Sequence, residues 1–150
     1  MTRDNTRYLP LLALGVVLHS SPLCAQTPTP SLLGRWHGTS ICTKASWNAS
    51  CNDEENFFEF VPAAGGLPGI LSHAGKRVGT TIQSMGDVDL QPDTGKARWA
   101  GEFSNGRVHI RLVYQVADSG LTGAVIQLPL HQVVRTYRAQ RDSTWERPVW

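Results

Sequence analysis

Charge of one sign is scarce in this 150-residue chain: 14 Lys and Arg stand against 12 Asp and Glu, a formal net charge of +2. That balance excludes a nucleic-acid binder working through a large basic excess. Long apolar runs are missing too. The longest, residues 9–18, is broken by Pro10 and Gly15 and falls short of the roughly 20 residues that a membrane-crossing helix needs. Nucleophile elbows, Walker-type loops, HExxH and CxxC do not occur, so no short motif with a catalytic mechanism points to an enzyme. Cysteine is limited to three. What the chain does hold is glycine (14) and proline (9), which favour many short turns over long helices. With 41% hydrophobic residues it can form one packed core, and the expected class is all-β.

The N-terminus reads as a targeting segment. Arg3 and Arg7 precede the apolar run and the small residue Ala25 follows it, the layout of a signal peptide over residues 1–25. Cys24 opens an alternative, an acylated lipoprotein cysteine, although Leu23 occupies the position where that motif has a small residue. Cleavage would leave twelve basic and eleven acidic groups, so no charge-steered partner is implied. It would also leave two cysteines, Cys42 and Cys51, and an even pair in an exported chain reads as a disulfide. Free thiols or a metal pair are the competing readings, but Cys-x8-Cys lacks the tight spacing of a zinc knuckle. The expected location is exported, periplasmic or secreted. In a eukaryotic host Asn48 would fit the glycosylation pattern.

Residues 26–31, with Thr-Pro-Thr-Pro, read as an extended tether. Period-two alternation then predicts strands at 33–42, 55–61, 67–72, 77–84, 87–91, 96–103, 107–116, 121–128 and 131–139, with Asn105-Gly106 as a strong hairpin signal. If 87–91 joins a neighbour, eight remain. Near-uniform hairpin spacing predicts a small antiparallel up-and-down barrel over residues 32–140. Residues 141–150 show no period and read as a C-terminal tail from which Trp145 and Trp150 can dock.

Gly34-Arg35-Trp36 on the first strand of an exported β-meander resembles the opening motif of the lipocalins and the wider calycin group. The resemblance implies an eight-stranded barrel whose bottom is closed by Trp36, with an arginine from the end of the last strand laid across it. Arg138 is the expected partner and Arg135 the competing one. A small exported barrel with one disulfide behind a Pro-rich arm is also similar, more loosely, to bacterial periplasmic inhibitors of metalloproteases and to lysozyme inhibitors.

Candidate sites follow from these readings. Trp99, Phe103 and Tyr114 are candidate ligand-binding residues, although a barrel of this size can equally be filled by such side chains. Trp47, inside the disulfide loop, is a candidate partner contact, since a short loop rarely buries an indole. The histidines are scattered, no metal site or cofactor is expected, and no carboxyl stands out as a tuned acid or base. The expected function is a non-enzymatic exported binding protein for a small apolar ligand. The alternative is an inhibitor of a hydrolase such as a protease or lysozyme, acting through the arm or the disulfide loop.

Overall fold

Alternating side chains from Gly34 onward give eight strands, β1 (Gly34–Cys42), β2 (Glu54–Pro62), β3 (Ile70–Val78), β4 (Thr81–Pro92), β5 (Arg98–Ser104), β6 (His109–Ala117), β7 (Gly120–Gln127) and β8 (Gln132–Arg141). The computed structural model describes residues 31–48, 51–94, 97–117 and 120–147. The expected signal peptide 1–25, the tether up to residue 30 and Trp150 lie outside the described residues. Each strand pairs antiparallel with the next, and β8 pairs with β1, closing an up-and-down barrel. This is the fold class and strand number that alternation predicts, and it is compatible with a lipocalin-like fold.

The strand pattern differs between residues 67 and 91. In place of strands 67–72, 77–84 and 87–91 the chain forms one long hairpin that turns at Gly79-Thr80, where Gly79 has φ +61°. The expected strand 77–84 straddles that turn, and 87–91 is the far end of β4. A bulge explains why. Ala74 pairs with Gly86 and Gly75 with Ser84, so Met85 is an extra residue that reverses the alternation midway along β4.

The barrel is filled by its own side chains. Trp36, Phe58, Phe60, Tyr114 and Tyr137 belong to one buried cluster with Leu90, Leu112 and Val125. Phe58 packs edge-on against Tyr137 and Phe60 against Tyr114, each at 5.2 Å between ring centroids, while Tyr114 and Tyr137 stack at 5.9 Å. Gly123 sits between those two tyrosines in register. A Cβ there would stand 2.8 Å from the Val113 carbonyl oxygen and 3.0 Å from the Tyr114 ring, so the absence of a side chain is what lets the rings meet. Burial pushes both phenols well above the ordinary tyrosine range.

One end of the barrel is closed as the Gly-x-Trp resemblance implies, with a different arginine. Trp36 is fully buried and its Nε1–H donates to the Leu32 carbonyl at 2.8 Å. The Arg141 guanidinium lies 4.4 Å from the Trp36 ring centroid and donates to the Leu33 and Ser31 carbonyls. Arg138, the expected partner, is exposed. It pairs with the outward-facing Thr39, whereas Arg141 pairs with Trp36 itself. Register decides this: β8 runs two residues beyond its expected end at 139, and the inward set is Arg135, Tyr137, Ala139 and Arg141. Strand β8 accordingly ends at Arg141.

The opposite end carries the disulfide. Cys42 and Cys51 are bonded, as expected, with Cα atoms 5.5 Å apart. Arg135, the competing candidate for Trp36, is buried at this end, where it donates to Ser40 Oγ (2.5 Å), Glu54 Oε2 (3.1 Å) and the Asn52 carbonyl (2.9 Å). Lys76 reaches the other Glu54 oxygen at 3.0 Å. These groups form a polar plug across the mouth that a calyx would leave open.

Residues 142–147 are a docked strap. They cross the outer face of β1 and β2, where Trp145 is buried edge-on against Phe57 at 5.5 Å. The Arg35 guanidinium lies 5.2 Å from the Trp145 ring and bonds both the Trp145 carbonyl and Glu59. Arg147 meets the second Glu59 oxygen at 2.8 Å. His37 stacks on Phe57 and faces Glu55 at 2.7 Å and Asp142 of the strap at 3.3 Å. Among the described residues no helix is long and apolar enough to cross a membrane, and that fact together with the disulfide is compatible with export.

Candidate functional site

The closed end bears an apolar concavity. Three segments converge there: residues 31–33 leading into β1, the β2–β3 connection and the β4–β5 turn. Prolines and glycines in the sequence dictate this convergence, because Pro62, Gly69 and Pro92 end or begin strands that a regular ladder would have continued. The cleft measures about 460 Å³ and its walls are Leu32, Leu33, Pro62, Ile70, Pro92 and Trp99. That volume falls within the range of sites for small ligands, roughly 300–1,000 Å³ with mainly apolar linings.

A polar rim completes it. Arg98 and Arg111 converge on Asp93 at 3.0 and 3.2 Å. The Thr94 backbone N–H, ahead of these two guanidinium groups, holds the Asp93 carboxyl below the usual carboxylate range, so the rim acid is charged at neutral pH. The neighbouring β2–β3 loop contains no charged residue between Glu59 and His73, and it presents Leu67 at 69% exposure. Apolar walls, an uncharged loop and two ion pairs that share Asp93 can accept an apolar group and orient a polar end.

The structure separates the three residues read as ligand-binding. Trp99 is half-buried and lines the closed-end cleft. Tyr114 pairs with it across β5 and β6, but its ring is sealed between Phe58, Phe60 and Tyr137 and belongs to the core. Phe103 lies at the other end of β5, half-buried against the core and paired with Ile110. Trp47, read as a partner contact, is half-buried. It ends the short helical turn Ala45–Trp47 in the disulfide loop, packed against the core cluster rather than projecting from it.

Leu32, Leu33 and the Arg141 contacts that hold residues 31–33 beside the cleft were missed in the sequence. The run Arg135, Tyr137, Ala139, Arg141 carries the signal, since the same alternation continues through it to the end of β8.

His37, His73 and His109 face the carboxylates Glu55, Asp87 and Glu102 at 2.7, 2.7 and 3.2 Å. Among the described residues no group of three His, Cys, Asp or Glu gathers as metal ligands would. No family model, no curated protein and no solved structure matches the chain.

Proposed function

We propose that this protein is a non-enzymatic exported binding barrel that takes a small apolar ligand in the closed-end cleft rather than in the barrel interior. A small β-barrel is consistent with a binding protein, and the apolar cleft beside the Trp99 indole carries the finer reading. The interior gives a ligand little space, because five aromatic rings fill its middle and the Arg135 plug covers the far mouth. The cleft instead offers walls that are already desolvated on one side, so an apolar ligand removes further apolar surface from water at roughly 25 cal/mol per Å².

The experiment is a titration with an uncharged apolar fluorophore. Saturable binding is expected, weakened about tenfold in Trp99→Ala and unchanged in Phe103→Ala; tenfold corresponds to about 1.4 kcal/mol. Binding that ignores Trp99, or no binding at all, overturns the assignment. The inhibitor alternative is separable from it: deleting residues 26–30 leaves ligand binding intact but abolishes any inhibition that acts through the arm. Turnover of a substrate by the pure protein, lost on changing one histidine, would overturn both readings.

A further inference from the structure

The strap and the tip of the β3–β4 hairpin enclose a second groove that shares no lining residue with the closed-end cleft. It measures about 470 Å³ and is lined by Arg77, Thr80, Thr81, Ile82, Trp145 and Arg147, with Glu146 as its one acid. Its polar groups are almost all donors. Arg77 directs its Nε to Glu55 at 2.6 Å, and Arg147 directs its Nε to Glu59 at 2.8 Å. These carboxylates hold each guanidinium from behind. Among the described residues both guanidinium groups meet these carboxylates through Nε, Arg77 also lies 4.9 Å from the Phe57 ring centroid, and the two side chains remain 37% and 44% exposed. A partly exposed guanidinium held through Nε can offer its Nη donors to an incoming group, and a planar guanidinium edge matches an oxyanion in two-point geometry.

A buried donor at the same place points to the same ligand. Trp145 is 93% buried by its 7% relative exposure, and its Nε1–H has no acceptor among the described residues. A buried N–H without an acceptor is costly, and indole can only donate, so an incoming oxygen would relieve it. The Thr80 hydroxyl can add a donor, whereas that of Thr81 already donates to the Val78 carbonyl at 3.1 Å. The acids nearby do not remove this preference: Glu55 and Glu59 are engaged with the arginines and His37 is engaged with Glu55 and Asp142, which leaves Glu146 as the opposing charge.

We infer that this groove is an oxyanion site, taking the carboxylate or phosphate of a ligand between Arg77 and Arg147 with the Trp145 N–H as a third donor. The inference does not rest on the closed-end reading. It is tested on the full, disulfide-bonded protein labelled with 15N, titrated separately with inorganic phosphate and with acetate, with chloride at matched ionic strength as control. The Trp145 Nε1–H resonance, identified by its loss in Trp145→Phe, is expected to move saturably with at least one oxyanion and to stay in place with chloride. Saturation by phosphate alone assigns a phosphate ligand, and saturation by acetate alone a carboxylate. Arg77→Gln and Arg147→Gln are each expected to weaken binding about tenfold, the effect of removing one charge-assisted hydrogen bond. Trp145→Phe keeps the ring on Phe57 and removes only the donor, so it weakens binding, followed through backbone amides, while the strap stays docked. Absence of a saturable shift, an equal response to chloride, or undiminished affinity in both arginine variants overturns the inference.

Discussion

At the scale of single residues, two positions carry the barrel's interior. Trp36 closes one end with its whole side chain out of water and its one polar atom satisfied. Trp36→Ala should cost about 3–5 kcal/mol in chemical denaturation, the range for large buried aromatics that leave a cavity. The arginine over it gives a sharper test. Arg141→Ala should cost about 0.5–2 kcal/mol through the lost ring contact, whereas Arg138→Ala should stay within about 0.5 kcal/mol of wild type because its side chain faces solvent. Equal effects at the two positions would contradict the register of β8 on β1. Gly123 is the second position. Gly123→Ala pushes a methyl into the Tyr114 and Tyr137 rings, and the same denaturation measurement should show a loss of about 1–3 kcal/mol from overpacking.

At the scale of elements, the strap is the part whose attachment depends on charge. Asp142 is held below the usual carboxylate range chiefly by the Thr144 hydroxyl, then by the Thr144 N–H and His37. Glu55 is held below it chiefly by Arg77, with burial opposing and His37 adding to the effect. Both carboxyls therefore bind protons less readily in the docked state than in the unfolded chain. Their contribution is present in full above the ordinary carboxylate range and is lost as pH falls through the lowered values. The expected outcome is that the Trp145 indole loses its protected environment in acid before the barrel unfolds, followed by the Trp145 N–H signal and by the difference in emission between wild type and Trp145→Phe. A strap that stays docked until the whole barrel melts would refute this separation. The β3–β4 hairpin is legible as strand but not as one hairpin, because the extra residue at Met85 shifts every following side chain to the opposite face.

At the scale of the whole molecule, the disulfide closes a short loop at the plugged end and leaves the ladder of eight strands to hold the fold. Reduction should lower stability by about 2–3 kcal/mol, the chain-entropy effect of so short a loop, without dissolving the barrel. Far-UV circular dichroism across a denaturant series with and without reductant checks this. The expected signal peptide makes a separate prediction: the exported protein begins at Gln26, and intact mass decides it, with a mass retaining Met1 or an acyl group on Cys24 contradicting it.

Alternation, turn residues and cysteine parity are local properties, and from them the sequence by itself determined an all-β meander of eight strands, the Cys42–Cys51 bridge and the placing of Trp36 on the first strand. Trp99 was read from the sequence as a candidate ligand-binding aromatic. The cleft it lines was not legible, since three segments far apart in the chain make it. Only the tertiary structure decided that Arg141 rather than Arg138 covers Trp36, because a shift of one residue in a strand reverses which face each side chain takes. The interior was decided in the same way. Whether Tyr114 lines a cavity or fills one depends on Phe58, Phe60, Gly123 and Tyr137 meeting across the barrel, contacts with no trace in local periodicity. The docking of Trp145 likewise required Phe57 and Arg35, contributed by β2 and β1, to wait on the outer face. An aperiodic segment shows its place only when the surface that receives it exists.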